Sequence, residues 1–501
     1  MAPIRIAIVG GGLSGLATGV HLRLLANCHR LPLEITLFEA SSRIGGVIQT
    51  ERIVGRDGGE FVVDHGADMF ATNPPAAIEL CQRLGVADGL LRPQQVGRGA
   101  MIARGDRLIP IPDGFVLMRA TKMMSMVSTP LLSPRGKLRL LAERFVRPRD
   151  PSLEDESVGS FVARRLGREC LQNIVAPLVA GIYTADIDRL SMAATMKPLW
   201  DMEARDGSLA RATLRRKRSG EDATERTSSG ARYEQFRAFP GGMIELIQAL
   251  ASGIGSDNIR LNSPVESLAT TANGTELGPG GESFDRVVLA SPAPVSAQLL
   301  ATLRTTAAAE SHLQAIDTVV SELGGIGYAS TAIVVMAVPR QAIARMPKTF
   351  GFVVPPSEQR TILAGSFASE KFCGRAPHDH VIIRAFAGGA LHPQVLEQSD
   401  EAIVEIVANE LGDIIGLDVS KSVHDFAAFI KVIRWNKAMP QYEVGHLRKA
   451  AAIDSAISQL PNIELVTNAY GGVGIAPVIA AAERGAQRVL ASVSKTQCSP
   501  E

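Results

Sequence analysis

The chain has 501 residues, 46% of them hydrophobic and 21% charged, with a formal net charge of +1. At about 150 residues per domain this length suggests roughly three domains, and the apolar fraction excludes a globally disordered chain. The near-zero net charge gives no overall electrostatic reason to bind nucleic acid. Five cysteines that stand far apart, with no C-x-x-C pair, predict neither a disulfide framework nor a metal site and fit a reducing compartment.

The N-terminus is expected to start the fold directly. It lacks the basic-then-apolar layout of a secretion signal and runs into residues 5–9, which read as a buried strand. A helix at about residues 14–27 and a strand at 34–39 follow, so the chain opens with a βαβ unit. No uninterrupted apolar run reaches the roughly 18 residues of a membrane-spanning helix. We therefore expect a cytoplasmic protein.

The turn between the first strand and helix carries a nucleotide-binding pattern. It satisfies G-x-G-x-x-G with Gly10, Gly11, Gly12, Leu13, Ser14 and Gly15. Gly12 lets the backbone approach a pyrophosphate, and Gly15 lets the helix pack closely on the sheet, with phosphate at the positive helix end. Glu39 ends the second strand, where its carboxylate can bind ribose hydroxyls. This context predicts a dinucleotide site; a purely structural turn is the alternative.

A second glycine turn follows this acid almost at once. Glu39 and residues 43–46 form the pattern E-x-x-x-R-x-G-G, which resembles the large family of FAD-binding flavoproteins similar to amine oxidases. An ordinary loop with a solvated arginine is the alternative. The resemblance implies bound FAD with cofactor contacts at Ala40, Arg43, Gly46, Val47, Gly66, Ala67, Asp68, Met69 and Val265.

The middle of the chain departs from the α/β pattern. Residues 116–147 mix four methionines with basic side chains, which predicts either a surface resting on anionic lipid or a buried helix pair with a solvated basic face. Residues 207–230 are rich in Arg, Glu, Ser and Gly, and this composition predicts a mobile, solvated loop. Strands are predicted at 330–338 and 381–386, and a helix at Asp400–Ile415.

The end of the chain repeats the strand–turn–helix layout. A strand at 463–466 leads into a glycine turn at 470–474 and a helix at 476–493. A helix N-terminus stabilises negative charge on reduced flavin at its N1/C2 edge. We therefore predict cofactor contacts at Asn468, Val473, Gly474 and Ile475. No cysteine stands near this turn, so the FAD is predicted to be non-covalent.

Six blocks of sequence resemble protoporphyrinogen oxidases. They lie at 155–158 with 165–167, 180–186, 240–243, 351–355, 434–442 and 444–446. The resemblance spans nearly the whole chain and implies oxidation of protoporphyrinogen IX to protoporphyrin IX in haem synthesis, with O2 as acceptor and H2O2 as product. Oxidation of coproporphyrinogen III to coproporphyrin III is the alternative, and the residues leave this choice open.

The same resemblance implies three substrate contacts. Arg98 stands where the family has an arginine that pairs with a propionate, although Arg104 and Arg107 are rivals nearby. Gly181 and Phe352 match positions that line the macrocycle pocket, and each can equally be a packing residue. No catalytic side chain is identified, because hydride transfer to flavin needs placement more than a nucleophile.

Two more distant functions share this fold class. One is a flavin amine oxidase or a carotenoid desaturase, since fold alone does not determine function. The other is a non-catalytic binding protein similar to Rab GDP-dissociation inhibitors. Retention of Glu39, the 43–46 turn and the C-terminal turn argues against the second, because a protein without flavin need not keep them.

The predicted fold is α/β, with a discontinuous Rossmann-like FAD-binding domain, an inserted sheet-containing substrate domain and a mostly helical domain. The bounds are 1–75, 236–295 and 431–501 for the FAD-binding domain, 76–110 and 296–430 for the substrate domain, and 111–235 for the helical domain. The expected partners are a porphyrinogen, O2, a second copy of the chain, and the inner face of a membrane contacted peripherally through about 116–147.

Overall fold

The computed structural model describes residues 2–95, 99–116, 118–120, 123–219, 235–272, 274–306, 309–460 and 462–497. Within them the chain forms a five-stranded sheet and a seven-stranded sheet, with a group of helices against the larger one. The strands, in chain order, are β1 (Ile4–Val9), β2 (Leu33–Phe38), β3 (Thr50–Val54), β4 (Glu60–Asp64), β5 (Phe70–Ala71), β6 (Ala100–Arg104), β7 (Arg107–Pro110), β8 (Phe115–Val116), β9 (Arg119–Ala120), β10 (Phe236–Arg237), β11 (Ile259–Arg260), β12 (Ser267–Thr271), β13 (Gly274–Gly278), β14 (Glu282–Phe284), β15 (Arg286–Leu289), β16 (Tyr328–Pro339), β17 (Gly351–Val353), β18 (Ile362–Phe367), β19 (His380–Gly388), β20 (Phe429–Pro440) and β21 (Ile463–Leu465).

The helices account for most of the remaining described residues. The α-helices are Leu13–His29, Ala76–Arg83, Met123–Ser128, Pro134–Leu141, Val158–Arg165, Arg168–Cys170, Ala176–Tyr183, Met192–Thr195, Lys197–Asp206, Leu209–Ser219, Ile244–Ile254, Ala293–Thr302, Glu310–Gly324, Ala368–Lys371, Asp400–Ile415, Val423–Phe426, His446–Ile457, Asn468–Gly471 and Ile475–Gln497. A π-helical turn spans Leu171–Val175, and 3-10 turns span Ala142–Phe145, Ser256–Asn258, Leu303–Thr305, Arg340–Ala342, Pro356–Glu358 and Pro393–Glu397.

The smaller sheet is parallel and joins strands that lie far apart in the chain. Its order is β11–β2–β1–β15–β21. Apolar side chains of β1 point alternately to two clusters, one shared with the first and last helices and one shared with helices of the 293–324 and 446–457 regions. A parallel sheet covered on both faces is what the buried, apolar strands require. The predicted α/β, Rossmann-like class is confirmed.

The larger sheet has the order β20–β16–β19–β18–β17–β6–β7. The predicted helix Asp400–Ile415 covers one of its faces, since Ile403, Val407 and Leu411 pack into the same core as β16 and β19. The predicted domain boundary at residue 430 falls inside β20, which pairs with β16 over most of its length. The chain therefore leaves this sheet only after Pro440.

The prediction of a loop at residues 207–230 is wrong for the part that the structure describes. Leu209–Ser219 is a helix whose first turn is held by Glu143. That carboxylate accepts hydrogen bonds from the Ser208 hydroxyl at 2.7 Å and from the N–H groups of Leu209 at 3.0 Å and Ala210 at 2.9 Å. A carboxylate at a helix N-terminus stabilises the helix, and here it comes from a distant part of the chain. Residues 220–230 lie outside the described residues.

The segment 116–147 is neither a simple surface nor a buried helix pair. It begins with the β8–β9 hairpin and continues with two short helices and a 3-10 turn; residues 117, 121 and 122 lie outside the described residues. Met118 and Met126 are buried, whereas Met124 is 79% exposed and Phe145 72%. The segment therefore packs on the helical group and also presents apolar side chains outwards. Across the described part of the chain, none of the helices has the length and apolar character needed to cross a membrane.

Candidate active site

The first glycine turn joins β1 to the helix Leu13–His29. Gly10 has a φ of +116°, a conformation that favours glycine. A Cβ on Gly15 would lie 1.9 Å from the Gly10 carbonyl oxygen, so only glycine lets the helix approach the strand this closely. A Cβ on Gly12, in contrast, would meet no atom within 4 Å, and no side chain caps the helix there. This open cradle at a helix N-terminus fits a pyrophosphate.

Glu39 links the first glycine turn to the second. Its Oε2 accepts a hydrogen bond from the Gly11 N–H at 2.7 Å, and its Oε1 accepts one from the Ser41 N–H at 2.8 Å. The Gly45 N–H donates to the Gly11 carbonyl at 2.8 Å, so the two turns lie in direct contact. Arg43 folds onto its own turn, with Nη2 donating to the Gly46 carbonyl at 2.8 Å. Residues predicted from two separate motifs thus meet at the carboxyl ends of β1 and β2.

Residues 66–69 extend the cradle beyond the second turn. Gly66 is buried, and a Cβ there would lie 2.3 Å from Trp435 Cζ2 and 3.1 Å from the Val47 carbonyl. Val47 itself is 48% exposed, which leaves an apolar side chain open to a ring system. Val265 is partly buried and packs against the apolar cluster that contains Ala7 and Val9 of β1. Two further predicted residues, Ala67 and Met69, are half-buried.

Tyr442 holds the C-terminal glycine turn in place. Its hydroxyl donates to the Asn468 carbonyl and accepts a hydrogen bond from the Gly472 N–H at 3.0 Å. Burial raises the pKa of this phenol, so it stays protonated as a donor. The helix Ile475–Gln497 begins directly after Gly474 and has no acidic residue in its first turn, which leaves its positive end for an anion. A short helix, Asn468–Gly471, replaces the first part of the predicted turn.

The Asp68 side chain forms ion pairs with two cations of the protein. Its Oδ2 lies 2.8 Å from Lys371 Nζ and 3.0 Å from Arg384 Nη1. Burial alone would raise the pKa of this carboxyl, but the two cations outweigh burial and hold the pKa well below its ordinary value. We therefore expect Asp68 to contact the cofactor through its backbone and not through its side chain.

Gly181 and Phe352 are not brought to one surface. Gly181 is exposed near the end of the helix Ala176–Tyr183, and a Cβ there would lie 3.1 Å from Val353 Cγ1. Phe352 precedes Val353 in β17 and points to the opposite face of the sheet, because successive residues of a strand alternate. It is 1% exposed, and its ring centroid lies 6.1 Å from that of Phe367.

The predicted propionate-binding residue, Arg98, lies outside the described residues. Its neighbour Gly99 accepts a hydrogen bond from the Phe350 N–H at 3.1 Å, at the start of β17. Of the two rivals, Arg104 donates to the Pro130 carbonyl at 2.8 Å, and the Arg107 side chain is 85% exposed.

Three parts of the fold form the apolar surface beside Gly181. Val353, Ala364 and Phe386 lie in register on one face of the larger sheet and share a core with the helix Ala176–Tyr183. Val473 of the C-terminal turn packs against the same core. Phe386 is only half-buried there. No local pattern singles it out from its apolar strand, so sequence reasoning missed it.

Comparison with known proteins agrees with this geometry. The family model described as flavin containing amine oxidoreductase matches residues 13–490. The chain is 31% identical to coproporphyrinogen III oxidase of Propionibacterium freudenreichii subsp. freudenreichii, over 99% of this chain and 93% of that protein. It is 29% identical to the enzyme of the same name from Bacillus subtilis (strain 168), over 94% of each. Protoporphyrinogen oxidase 2 of Arabidopsis thaliana is 25% identical over 97% of this chain and 94% of that protein.

A solved structure gives the same result. The fold of a protein assigned as a protoporphyrinogen oxidase, from Exiguobacterium sp. 255-15, superposes with a TM-score of 0.78 at 27% identity, over 99% of this chain and 100% of that one. The FAD predicted from the glycine turns is confirmed by the family match. The chain belongs to the flavin containing amine oxidoreductase family.

Proposed function

We propose that this chain oxidises a porphyrinogen to the corresponding porphyrin with bound FAD and O2. The observation that carries the proposal is the partly exposed apolar surface of Gly181, Phe386 and Val473, where the helical group, the larger sheet and the C-terminal turn meet. A porphyrinogen is a wide apolar macrocycle with propionates at one edge, so it needs an apolar surface of this kind beside the flavin. Full-length similarity to porphyrinogen oxidases supports this assignment.

FAD would supply the hydride acceptor, with O2 as the final oxidant and H2O2 as its product. The chain's own residues bind the cofactor and orient the substrate beside it. The Gly12 cradle would hold the pyrophosphate and Glu39 would bind the ribose, while Tyr442 fixes the C-terminal turn that would contact the flavin. Phe386 offers a partly exposed aromatic ring against which the pyrrole rings of the macrocycle can pack, and such placement is the main requirement for hydride transfer.

The two candidate substrates differ in two side chains, propionate in coproporphyrinogen III and vinyl in protoporphyrinogen IX. The bacterial relatives named for coproporphyrinogen III share more identical residues with this chain than the Arabidopsis relative does. We therefore propose coproporphyrinogen III as the first substrate to test and protoporphyrinogen IX as the second.

The test is anaerobic mixing of the purified holoenzyme with each porphyrinogen while the visible absorption of the flavin is followed. Either porphyrinogen should bleach the flavin, and admission of air should restore it together with porphyrin fluorescence. A primary amine such as putrescine serves as the third arm, for the amine oxidase alternative. Bleaching by the amine and by neither porphyrinogen would overturn the proposal.

We also propose that part of 116–147 contacts anionic membrane peripherally in the cytoplasm. Met124, Leu138 and Phe145 are exposed apolar side chains of this segment, and the Cζ atom of the exposed Arg144 lies 4.5 Å from the centroid of the Phe145 ring. Exposed apolar side chains combined with a base favour a lipid surface. Co-sedimentation with vesicles containing an anionic lipid should fall for Phe145→Asp and stay unchanged for Leu153→Asp, a control at another exposed apolar residue. Equal binding by the parent to neutral and anionic vesicles, or no binding to either, would contradict this.

A further inference from the structure

Five charged side chains form a buried cluster beside Gly66. They are Asp64, Asp68, Lys371, Arg375 and Arg384, each at most 7% exposed. Lys371 and Arg384 share the Asp68 carboxylate, at 2.8 and 3.0 Å, and Arg375 Nη2 lies 3.2 Å from Asp64 Oδ2. The cluster thus holds three positive and two negative charges in the protein interior.

The excess positive charge lies around Asp68, because Lys371 and Arg384 share its single carboxylate. Asp64 has its own partners, because besides Arg375 its Oδ1 accepts hydrogen bonds from the Thr50 hydroxyl at 2.5 Å and from a backbone N–H at 2.8 Å. Asp68, in contrast, serves two cations. Arg384 Nε and Arg375 Nη1 are buried donors that have no hydrogen-bond partner among the described residues. A fold rarely tolerates an uncompensated buried charge, so this excess indicates an anionic partner.

The excess charge faces the flavin cradle. Arg384 donates a hydrogen bond to the Gly66 carbonyl, at the point where Gly66 packs against Trp435. Arg384 and Phe386 lie two residues apart in β19 and so share one face of the sheet. The Arg384 Cζ atom lies 5.4 Å from the centroid of the Phe386 ring. The guanidinium therefore sits between the cofactor segment 66–69 and the apolar surface.

We propose that Lys371 and Arg384 are positioning residues that hold the 66–69 segment against FAD and keep one uncompensated positive charge there, which stabilises the negative charge that FAD gains on reduction. The inference rests on the proposed flavin enzyme but not on the identity of its substrate. A fixed charge in a low-dielectric site acts strongly because it does not reorient during the reaction. Asp68 moderates the effect, since its carboxylate cancels one of the two cations.

The experiment measures the reduction equilibrium of the bound flavin against a reference redox dye, without oxygen and without porphyrinogen. Lys371→Met removes the excess positive charge and should lower the equilibrium constant for flavin reduction about tenfold, which is about 30 mV for a two-electron couple. Asp68→Asn removes a negative charge and should shift the same constant upwards by a similar factor. A merely structural role would weaken FAD binding in both variants without opposite shifts.

Two controls accompany these variants. Lys371→Arg keeps the charge and should keep the parent equilibrium constant. Lys197→Met removes a surface cation that is 65% exposed and paired with Asp201, and it should also leave the constant unchanged.

Equal constants for Lys371→Met and Lys371→Arg overturn the proposal, and so do shifts of the same sign in Lys371→Met and Asp68→Asn. If Asp68→Asn does not retain FAD, the two Lys371 variants decide alone. Because no porphyrinogen is present, a negative result here leaves the proposed function standing. Failure of both porphyrinogens to bleach the flavin would remove that function without touching these constants.

Discussion

Replacement of Gly12 by valine should separate folding of the nucleotide domain from its capacity to bind FAD. Gly12 has a φ of −75°, which every L-residue can adopt, and a Cβ there meets no atom within 4 Å. Loss of glycine at the helix cap costs about 0.5–1.5 kcal/mol, and the lower entropy of the unfolded chain returns about 0.4–1 kcal/mol. The free energy of unfolding of the apoprotein should therefore change by about 1 kcal/mol or less.

The effect on FAD binding should be far larger. The valine side chain would fill the space in which the pyrophosphate approaches the helix N-terminus. Loss of two charge-assisted hydrogen bonds from helix N–H groups, at about 1.5–3 kcal/mol each, costs about 3–6 kcal/mol. Since a tenfold change in affinity corresponds to about 1.4 kcal/mol, the Kd for FAD should rise about 100- to 10,000-fold.

Two measurements on the apoprotein test this. Quenching of FAD fluorescence on binding gives the Kd, and urea unfolding gives the stability. Gly89→Val is the matched control, because a Cβ at Gly89 also meets no atom within 4 Å and the residue stands outside the glycine turns. It should bind FAD as the parent does. A folded Gly12→Val protein with parental affinity for FAD would refute the placement of the pyrophosphate at this turn.

Three further outcomes follow from two buried side chains and one partly buried side chain. Glu203→Gln should lower the free energy of unfolding by about 3–5 kcal/mol in urea at neutral pH, because fully buried Glu203 pairs with Arg164 at 2.6 Å; parental stability would contradict this. Burial would raise the pKa of Glu203, but Arg164 outweighs burial and lowers this pKa. The stability that the Glu203 carboxylate contributes is therefore present above pH 4.5, the ordinary pKa of the group, and is lost as pH falls below that value. Burial lowers the pKa of His446 from 6.5 to about 4, so the free energy of unfolding should fall as pH falls through this window, by up to about 1.4 kcal/mol per pH unit, and His446→Phe should flatten the slope. Phe386→Ala should raise the KM for porphyrinogen about 3- to 10-fold through lost aromatic contact while leaving the Kd for FAD unchanged; an unchanged KM would remove Phe386 from the substrate surface.

The nucleotide cradle could be predicted from sequence because its determinants are local. Gly10, Gly15 and Glu39 act through spacing within one βαβ unit, and the structure brings the Glu39 carboxylate to the Gly11 N–H as expected. The family resemblance added the second turn and the C-terminal turn, whose contact through Tyr442 no local pattern describes.

The remaining features depend on partners that are remote in sequence. The helix Leu209–Ser219 has a loop-like composition but is held by Glu143, 66 positions before its first residue. Lys371 reaches Asp68 across 303 positions, so its burial could not be inferred from its neighbours. β17 is buried on both faces, and alternation in such a strand does not reveal which residue faces the substrate.

The order of the strands in the smaller sheet has a consequence for synthesis. The pyrophosphate cradle leaves the ribosome early, whereas β21 and the turn held by Tyr442 come from the end of the chain. Roughly 450 residues must be translated between the two, which takes roughly 22 to 90 s at about 5–20 residues per second. Once residue 289 has been translated, β15 has an open edge until β21 is made and pairs with it. The two parts of the cofactor site can therefore come together only after translation has reached the helix Ile475–Gln497.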